Sequence, residues 1–138
     1  MTILDTNVIS ALMTDPPDLR IVAWLDRQPQ TSIWTTSITV LEIRTGLQIM
    51  AAGRKQSKLS EVLESFLNDI EHRVAVFDEE AAGMAAELSA SRRRAGRPGE
   101  LRDTMIAGIV LARHATLATR NVAHFSDIWG NVVDPWAP

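Results

Sequence analysis

Several features are missing from this sequence of 138 residues, and each absence excludes a class of protein. There is no cysteine, so neither a disulfide framework nor a thiolate metal site can form. No apolar stretch approaches the roughly 18 residues that a membrane-spanning helix needs. The first apolar run is interrupted by Asp5 and Asn7 and follows no basic segment, so it does not resemble a signal peptide. We therefore expect a soluble, cytoplasmic protein without membrane contact.

Linkers, internal repeats and low-complexity tracts are also missing. Hydrophobic residues make up 46% of the chain and charged residues 22%, which is typical of a globular protein rather than a disordered one. A chain of this length can bury one proper core but not two. We therefore expect residues 1–138 to form a single domain.

Net positive charge is lacking as well, because the formal net charge is −3, which by itself argues weakly against a nucleic-acid-binding protein. The distribution is uneven, however. A basic block with Glu100 as its single acid contains Arg92, Arg93, Arg94, Arg97 and Arg102. Such a block can bind phosphates. It can equally be a solvated helix end, where arginines are favourable near the negative pole of the helix dipole.

Short runs of β-favouring residues alternate with segments whose apolar residues have helical spacing. The strand-like runs are residues 2–4, 33–36, 74–77, 116–119 and 132–133. The clearest helical segments between them are residues 37–50, 56–70 and 103–114. This alternation predicts an α/β sandwich with a mostly parallel sheet of four to five strands.

Acidic residues fall next to the ends of several predicted strands. Asp5 follows the first strand, Glu42 lies near the start of the helix after the second, and Asp103 begins the helix before the fourth. If the sheet is parallel, these carboxylates converge at one edge, with Asn121 just beyond the fourth strand. Carboxylates repel one another unless a cation neutralises them. Hard oxygen ligands without cysteine suit Mg²⁺ or Mn²⁺ rather than zinc.

Each carboxylate also has an ordinary structural interpretation. Asp5 can cap the helix that follows it, since aspartate is favoured at that position. Thr39 and Glu42 have the spacing of a capping box, and Asp103 can cap its own helix. From spacing alone, helix capping and metal binding remain alternatives.

The sequence contains four short motifs, which are ILDTNV at residues 3–8, TVLEIRTG at 39–46, DTMIA at 103–107 and LATRN at 117–121. In this order and at these separations, they resemble PIN-domain ribonucleases and, more narrowly, the VapC and FitB toxins of type II toxin–antitoxin modules. The resemblance runs essentially end to end. It implies a PIN-like α/β/α sandwich over the whole chain.

The resemblance further implies a Mg²⁺-dependent endoribonuclease, with Mn²⁺ able to substitute, whose catalytic residues are Asp5, Glu42 and Asp103. Asp5 and Asp103 would hold the metal, directly or through its water. Glu42 would orient the attacking water or complete the outer coordination of the metal. The metal would lower the pKa of the water and shield the scissile phosphate.

Polar residues beside these acids are expected to support them. Thr6, Asn7 and Thr119 are placed to orient the ligands, although local turn hydrogen bonding explains them equally well. Asn121 replaces the acid of the fully acidic version, and it can offer a neutral oxygen or bind phosphate. His124 stands where many relatives carry another acid, which argues against a second firmly bound metal. As a lone histidine, it is more simply a packed or exposed side chain than a ligand.

Partners are implied by the same resemblance. RNA is the expected substrate, and Arg97 and Arg102, which lead into Asp103, are the arginines expected to contact it. A small antitoxin would lie across the pocket, would inhibit the protein and would itself bind operator DNA. Homodimers are usual in the family.

Two other functions remain open on the sequence. The chain could be a catalytically weak protein-binding or corepressor partner of an antitoxin, which the intact set of carboxylates argues against. It could also be a metal-dependent phosphatase that uses Asp5 as a covalent nucleophile. Such enzymes typically need a second aspartate two residues later, where this chain has Asn7.

Overall fold

The computed structural model describes the backbone of residues 1–138 and every side chain except that of Trp129. Its strands are β1 (Thr2–Leu4), β2 (Ile33–Thr36), β3 (Val74–Ala75), β4 (Thr116–Ala118) and β5 (Val132–Val133). Its α-helices are α1 (Thr6–Met13), α2 (Leu19–Asp26), α3 (Ser37–Ile49), α4 (Arg54–Asp69), α5 (Glu79–Arg94) and α6 (Leu101–Ala112). The remaining helical turns are 3-10 segments at Gln30–Ser32 and Val122–Asn131. Each predicted strand is present, although β3 and β4 end earlier than predicted.

The five strands form one sheet in the order β3-β2-β1-β4-β5, and every pair in it is parallel. Thr2 of β1 lies opposite Ile33 of β2 on one side and opposite Thr116 of β4 on the other. The chain therefore leaves β1 in one direction and later returns to its other side. The carboxyl end of β1 is thus a topological switch point, the place where open α/β sheets bind ligands.

Successive residues of the central strands face two hydrophobic clusters, one on each face of the sheet, so the core expected for a chain of this length is divided by the sheet. Ile3 and Leu117 belong to the core beneath α5 and α6, whereas Leu4 and Ala118 belong to the core beneath α1, α2 and α4. All four side chains are fully buried. This is the alternation expected of strands covered on both faces, and it confirms the α/β/α sandwich.

Helices α5 and α6 pack closely because α6 has a glycine at their contact. A β-carbon at Gly108 would lie 2.5 Å from the carbonyl oxygen of Ala81 and 2.8 Å from the β-carbon of Ala85. No side chain fits there without moving the backbone of α5. The contact fixes the position of α6, whose first turn carries Asp103. Within the described residues, no helix combines the length and apolar character needed to cross a membrane.

The start of α3 corrects one capping prediction. Thr36 is the N-cap residue, and its hydroxyl accepts a hydrogen bond of 3.0 Å from the backbone N–H of Thr39. Since α3 begins at Ser37, Glu42 lies in its second turn, beyond the reach of any unpaired N–H at the helix end. The capping box between Thr39 and Glu42 was wrong, and Glu42 is free for another role.

The starts of α6 and α1 give opposite results. Glu100 occupies the N-cap position of α6, so the prediction that Asp103 caps this helix was wrong, and Asp103 lies in its first turn. Asp5 does cap α1, because its carboxylate accepts a hydrogen bond of 2.8 Å from the backbone N–H of Thr6. Capping at Asp5 uses only part of the carboxylate, which leaves room for a second function.

Candidate active site

Asp5 lies directly after β1 and is 4% exposed. Its Oδ2 accepts hydrogen bonds from the Thr119 hydroxyl at 2.8 Å and the Asn7 side-chain amide at 3.2 Å. Among the described residues, its Oδ1 accepts only the Thr6 N–H. Burial raises the pKa of the Asp5 carboxyl above its usual value, and the nearby carboxylate of Asp103 raises it further. The hydrogen bonds oppose this rise without cancelling it. A rigid, buried carboxylate of this kind favours a cation beside it.

Thr119 connects the carboxyl ends of β1 and β4. Its buried hydroxyl donates to Asp5 and accepts from the Asn7 side-chain amide and the backbone N–H of Asn121, both at 3.1 Å. The Asn7 side-chain oxygen accepts the backbone N–H of Arg120 at 3.0 Å. The bond from Asn121 is a local turn bond, whereas the bonds of Asn7 to Thr119 and Arg120 and of Thr119 to Asp5 join opposite ends of the chain. Local turns therefore account for only part of the contacts of Asn7 and Thr119. Asn121 contributes its backbone, and the residue is exposed.

Glu42 approaches Asp5 from α3, with 22% of its side chain exposed. Its Oε1 accepts a hydrogen bond of 3.2 Å from the Thr6 hydroxyl, and its Oε2 lies 3.6 Å from Nη1 of Arg102. Burial raises the pKa of Glu42, and the carboxylates of Asp5 and Asp103 add to the rise. The Thr6 hydroxyl and the Arg102 charge lower it in part. Thr6 therefore connects the first strand end to the second acid of the site.

Asp103 reaches the same region from α6, with 18% of its side chain exposed. Its Oδ2 lies 3.0 Å from Nδ1 of His124, in the 3-10 segment that follows β4. The His124 side chain is 56% exposed, as the sequence suggested, but it also contacts the third acid directly. Sequence reasoning missed this contact. Its only signal was the place of His124, a few residues after the end of a strand that points at the site.

Asp103 lies close enough to raise the pKa of Asp5, both aspartates raise the pKa of Glu42, and each of the three carboxylates keeps an oxygen available. Asp5 Oδ1 accepts one hydrogen bond, and neither Glu42 Oε2 nor Asp103 Oδ1 accepts any from the described residues. Among those same residues, no three acidic or histidine side chains converge into a ready-made metal cage. Mg²⁺ does not need one, since it keeps several waters and binds one or two carboxylates together with substrate phosphates. The donor set therefore fits Mg²⁺ or Mn²⁺.

Arg92 does not belong to a basic surface. It is 7% exposed, and its guanidinium forms two bonds with the Asp127 carboxylate, Nε to Oδ2 at 2.8 Å and Nη2 to Oδ1 at 2.9 Å. Both interpretations of the arginine block, a phosphate-binding surface and a solvated helix end, were wrong for this residue. The hydrogen bonds and charge of Arg92 lower the pKa of Asp127.

Arg102 lies beside Glu42, and Arg97 lines a pocket that includes Asp103. Nη2 of Arg102 is 2.9 Å from Glu100 Oε1, so this arginine balances acids of its own chain. Arg97 is exposed, forms no ion pair among the described residues, and lines a pocket of about 420 Å³ together with Asp103 and His124. The structure therefore leaves Arg97 as the less engaged of the two predicted RNA contacts.

A family model described as "PIN domain" matches residues 2–128. The chain is 39% identical over 137 residues to plasmid stability protein StbB of Pseudomonas syringae pv. tomato, covering 99% of both chains. It is 34% identical over 139 residues to VapC ribonuclease Y4jK of Sinorhizobium fredii, covering 100% of this chain and 99% of that one. It is 34% identical over 137 residues to toxin FitB of Neisseria gonorrhoeae, again covering 99% of both.

A solved structure described as FitAB bound to an IR36 DNA fragment superimposes with a TM-score of 0.90 at 32% identity. The match covers 100% of this chain and 97% of that one.

Proposed function

The chain belongs to the PIN domain family and is related to VapC and FitB toxins, and on that basis we propose that it is a Mg²⁺-dependent endoribonuclease, the toxin of a toxin–antitoxin pair. The observation that carries the proposal is the meeting of Asp5, Glu42 and Asp103 at the switch point of the sheet, each with an available oxygen. A relative named as a VapC ribonuclease supports the choice of RNA.

Asp5 and Asp103 are the residues we assign to metal binding. The ion would lower the pKa of a bound water molecule and neutralise charge at the scissile phosphate. Thr119 and Asn7 occupy Oδ2 of Asp5, which leaves Oδ1 as the oxygen available for a ligand. Such outer hydrogen bonds orient ligating carboxylates and set their affinity.

Glu42 is the residue we assign to the attacking water. Its raised pKa makes it a better proton acceptor than an ordinary glutamate, and Thr6 holds Oε1 so that Oε2 remains to receive a proton. Arg102 balances part of the charge of Glu42 from the side of α6. In this proposal Glu42 orients and deprotonates the attacking water, while Asp5 and Asp103 bind the metal.

We assign RNA contacts to Arg97 and Arg102, with Arg97 as the main one. The substrate's phosphates must approach a cluster of carboxylates, and Arg97, which has no ion-pair partner among the described residues, offers a positive charge in the pocket that includes Asp103. Arg102 has to keep Glu100 and Glu42 as neighbours while it contacts RNA. We assign to Asn121 a supporting contact to phosphate through its exposed side chain.

A small inhibitory antitoxin is the protein partner that we propose, and the operator DNA would be bound through it. The similarity to FitAB, solved bound to a DNA fragment, supports this partnership. We further propose a homodimer that acts in the cytoplasm, where its RNA substrate is found.

The contacts of Asn7 argue further against the phosphatase alternative. The Asn7 side chain is fully engaged, donating to Asp5 and Thr119 and accepting from Arg120, so it has no proton to give a leaving group. The corepressor alternative differs from the nuclease only in lacking cleavage. A binding assay therefore cannot separate them, and a cleavage assay can.

The test uses purified wild-type protein and its Asp103→Asn variant on mixed cellular RNA, with Mg²⁺ or with a chelator. We expect cleavage by the wild type with Mg²⁺ alone. Cleavage that persists at equal rate in the variant would identify a contaminating nuclease or a different site. No cleavage by either protein, with intact antitoxin binding, would favour the corepressor.

A further inference from the structure

The buried guanidinium of Arg92 connects three segments around the site. It belongs to α5 and forms two bonds with Asp127 in the 3-10 segment Val122–Asn131. Its Nη1 donates to the Thr104 hydroxyl of α6 at 2.9 Å, and its Nη2 donates to the backbone oxygen of His124 at 3.2 Å. Gly99, whose φ is +67°, lies against this guanidinium, and the positive φ is the reason that the position favours glycine. Arg92 thus holds α6 and the 3-10 segment in place against α5.

Two of these bonds lie at or next to Asp103 and His124, whose side chains contact each other at the site. Thr104 follows Asp103 in α6, and Arg92 holds the main chain of His124 itself. The His124 ring then reaches Asp103, with 3.0 Å between Nδ1 and Oδ2. Because an ionised carboxylate only accepts hydrogen bonds, Nδ1 carries the hydrogen in this pair.

We propose that His124 is a positioning residue, which holds Oδ2 of Asp103 through Nδ1–H and leaves Oδ1 for the metal, and that Arg92 fixes the place of His124. The inference rests on the proposed nuclease function. Asp103 is 18% exposed, and its Oδ2 receives a hydrogen bond from His124 alone among the described residues. Its neighbours Asp5 and Glu42 repel it. Without the His124 donor, nothing described would hold this carboxylate in one rotamer.

The three acids would then be oriented by three separate donors. Thr119 holds Asp5 through Oδ2 at 2.8 Å, and Thr6 holds Glu42 through Oε1 at 3.2 Å. His124 completes the set at Asp103. Loss of such an outer partner typically lowers metal affinity or activity about 10–100-fold.

The primary test measures Mn²⁺ binding by calorimetry together with RNA cleavage. We expect His124→Ala to weaken Mn²⁺ binding about tenfold or more. We expect His124→Asn to restore most of the loss, since its amide places an N–H donor near the position of Nδ1. Ser126→Ala, on the same 3-10 segment and also lining the pocket, is the matched control and should bind Mn²⁺ like the wild type.

The outcomes separate the two proposals. A wild type that neither binds Mn²⁺ nor cleaves RNA would overturn the proposed function and the role of His124 with it. A wild type that binds and cleaves, beside a His124→Ala variant with unchanged Mn²⁺ affinity, would overturn the role of His124 alone. Equal losses in the Ala and Asn variants would show that the N–H donor is not what matters, and would also overturn it.

Arg92 is tested through a double-mutant cycle on Mn²⁺ affinity. Arg92→Lys keeps the charge but loses the planar fork, so it should weaken binding in the wild-type background and cause no further loss beside His124→Ala. Additive losses would overturn the assignment of Arg92. If Arg92→Lys does not fold, Thr104→Val, which removes the acceptor of Nη1, takes its place in the same cycle.

Discussion

The hydroxyl of Thr119 donates a 2.8 Å hydrogen bond to Oδ2 of Asp5, and so joins the carboxyl ends of two neighbouring parallel strands. The bond is buried, and the same oxygen also accepts the Asn7 amide. Because a buried carboxylate is costly when it lacks donors, this contact helps to keep Asp5 ionised as well as oriented.

Replacing Thr119 tests that contact. Thr119→Val keeps the shape but removes both the donor to Asp5 and the acceptor for the N–H groups of Asn7 and Asn121. We expect the free energy of unfolding to fall by about 1–3 kcal/mol, with a marked loss of cleavage. Thr119→Ser is the control, because it keeps the hydroxyl. Denaturant unfolding and an RNA cleavage assay on the three proteins give the answer, and equal stabilities of the Val and Ser variants would contradict it.

The raised pKa of Asp5 predicts how stability depends on pH. Since the folded pKa exceeds the unfolded value of 3.8, stability from the protonated group is lost as the pH rises through the folded pKa. Asp5→Asn lacks this loss. Without metal, its stability relative to the wild type should therefore improve from acid to neutral pH. Melting temperatures across that range measure it, and parallel curves would contradict it.

Metal addition should reverse that comparison. Mg²⁺ that binds only the folded protein raises its stability. We expect the melting temperature of the wild type to rise with Mg²⁺ at neutral pH, and that of Asp5→Asn to stay constant. An equal rise in both proteins would place the ion elsewhere.

Glu42 can be tested without disturbing its helix. Since it lies outside any capping box, Glu42→Gln and Glu42→Ala should both leave α3 intact. Because the folded pKa of Glu42 is raised, loss of its charge should not lower the stability at neutral pH. Cleavage should fall steeply in both, because neither side chain can accept a proton from water. Near-normal cleavage by the Gln variant, measured beside thermal unfolding, would remove Glu42 from the mechanism.

The contact between α5 and α6 predicts opposite effects for two glycines. Gly108→Ala forces a β-carbon against the backbone of Ala81 and should destabilise the fold by about 1–3 kcal/mol or more. Gly83→Ala, in α5, meets nothing within 4 Å and should stabilise the helix by about 0.5–1 kcal/mol. Denaturant titrations of both variants decide it, and a stable Gly108→Ala protein would contradict the close packing.

RNA binding should distinguish the arginines. In an Asp103→Asn background, which prevents cleavage, Arg97→Gln should lower the affinity and reduce the slope of log affinity against log salt by about 0.7 for a single-stranded RNA. Arg102→Gln should have a smaller effect, because Arg102 already pairs with Glu100. Arg94→Gln, also exposed, is the control. Unchanged affinity and slope for both Arg97 and Arg102 would mean that the RNA lies elsewhere.

Much of the fold could be predicted from the sequence, because its signals are local. Runs such as 33–36 are β-favouring and apolar, and Asp18 and Asp78 cap their helices through their own side chains. The strand order required more than local signals. The placement of β1 between β2 and β4 depends on how strands and helices distant in sequence pack together, and no single segment of the sequence specifies that packing.

The sequence predicted that Asp5, Glu42 and Asp103 lie near one another, but it did not predict the contacts that hold them. The order of the motifs identified all three acids. Helix capping was wrongly predicted for Glu42 and Asp103, because Thr-x-x-Glu and an aspartate near a helix start are ambiguous patterns. Burial of Arg92 was missed for a similar reason. A run of three arginines is typical of a solvent-exposed segment, and the partner of Arg92, Asp127, lies 35 residues further along the chain.

The order of the sheet has a consequence for when the proposed site can assemble during synthesis. β1 leaves the ribosome first, but it lies in the middle of the sheet and needs β4, which is made near the end of the chain. Thr119, the donor that orients Asp5, emerges later still. Chains that stop early, after α5 for example, therefore carry Asp5 and Glu42 but lack Asp103 and the strand that completes the site. The proposed cleavage would therefore require a nearly complete chain, because Asp103 and Thr119 both lie in its last third.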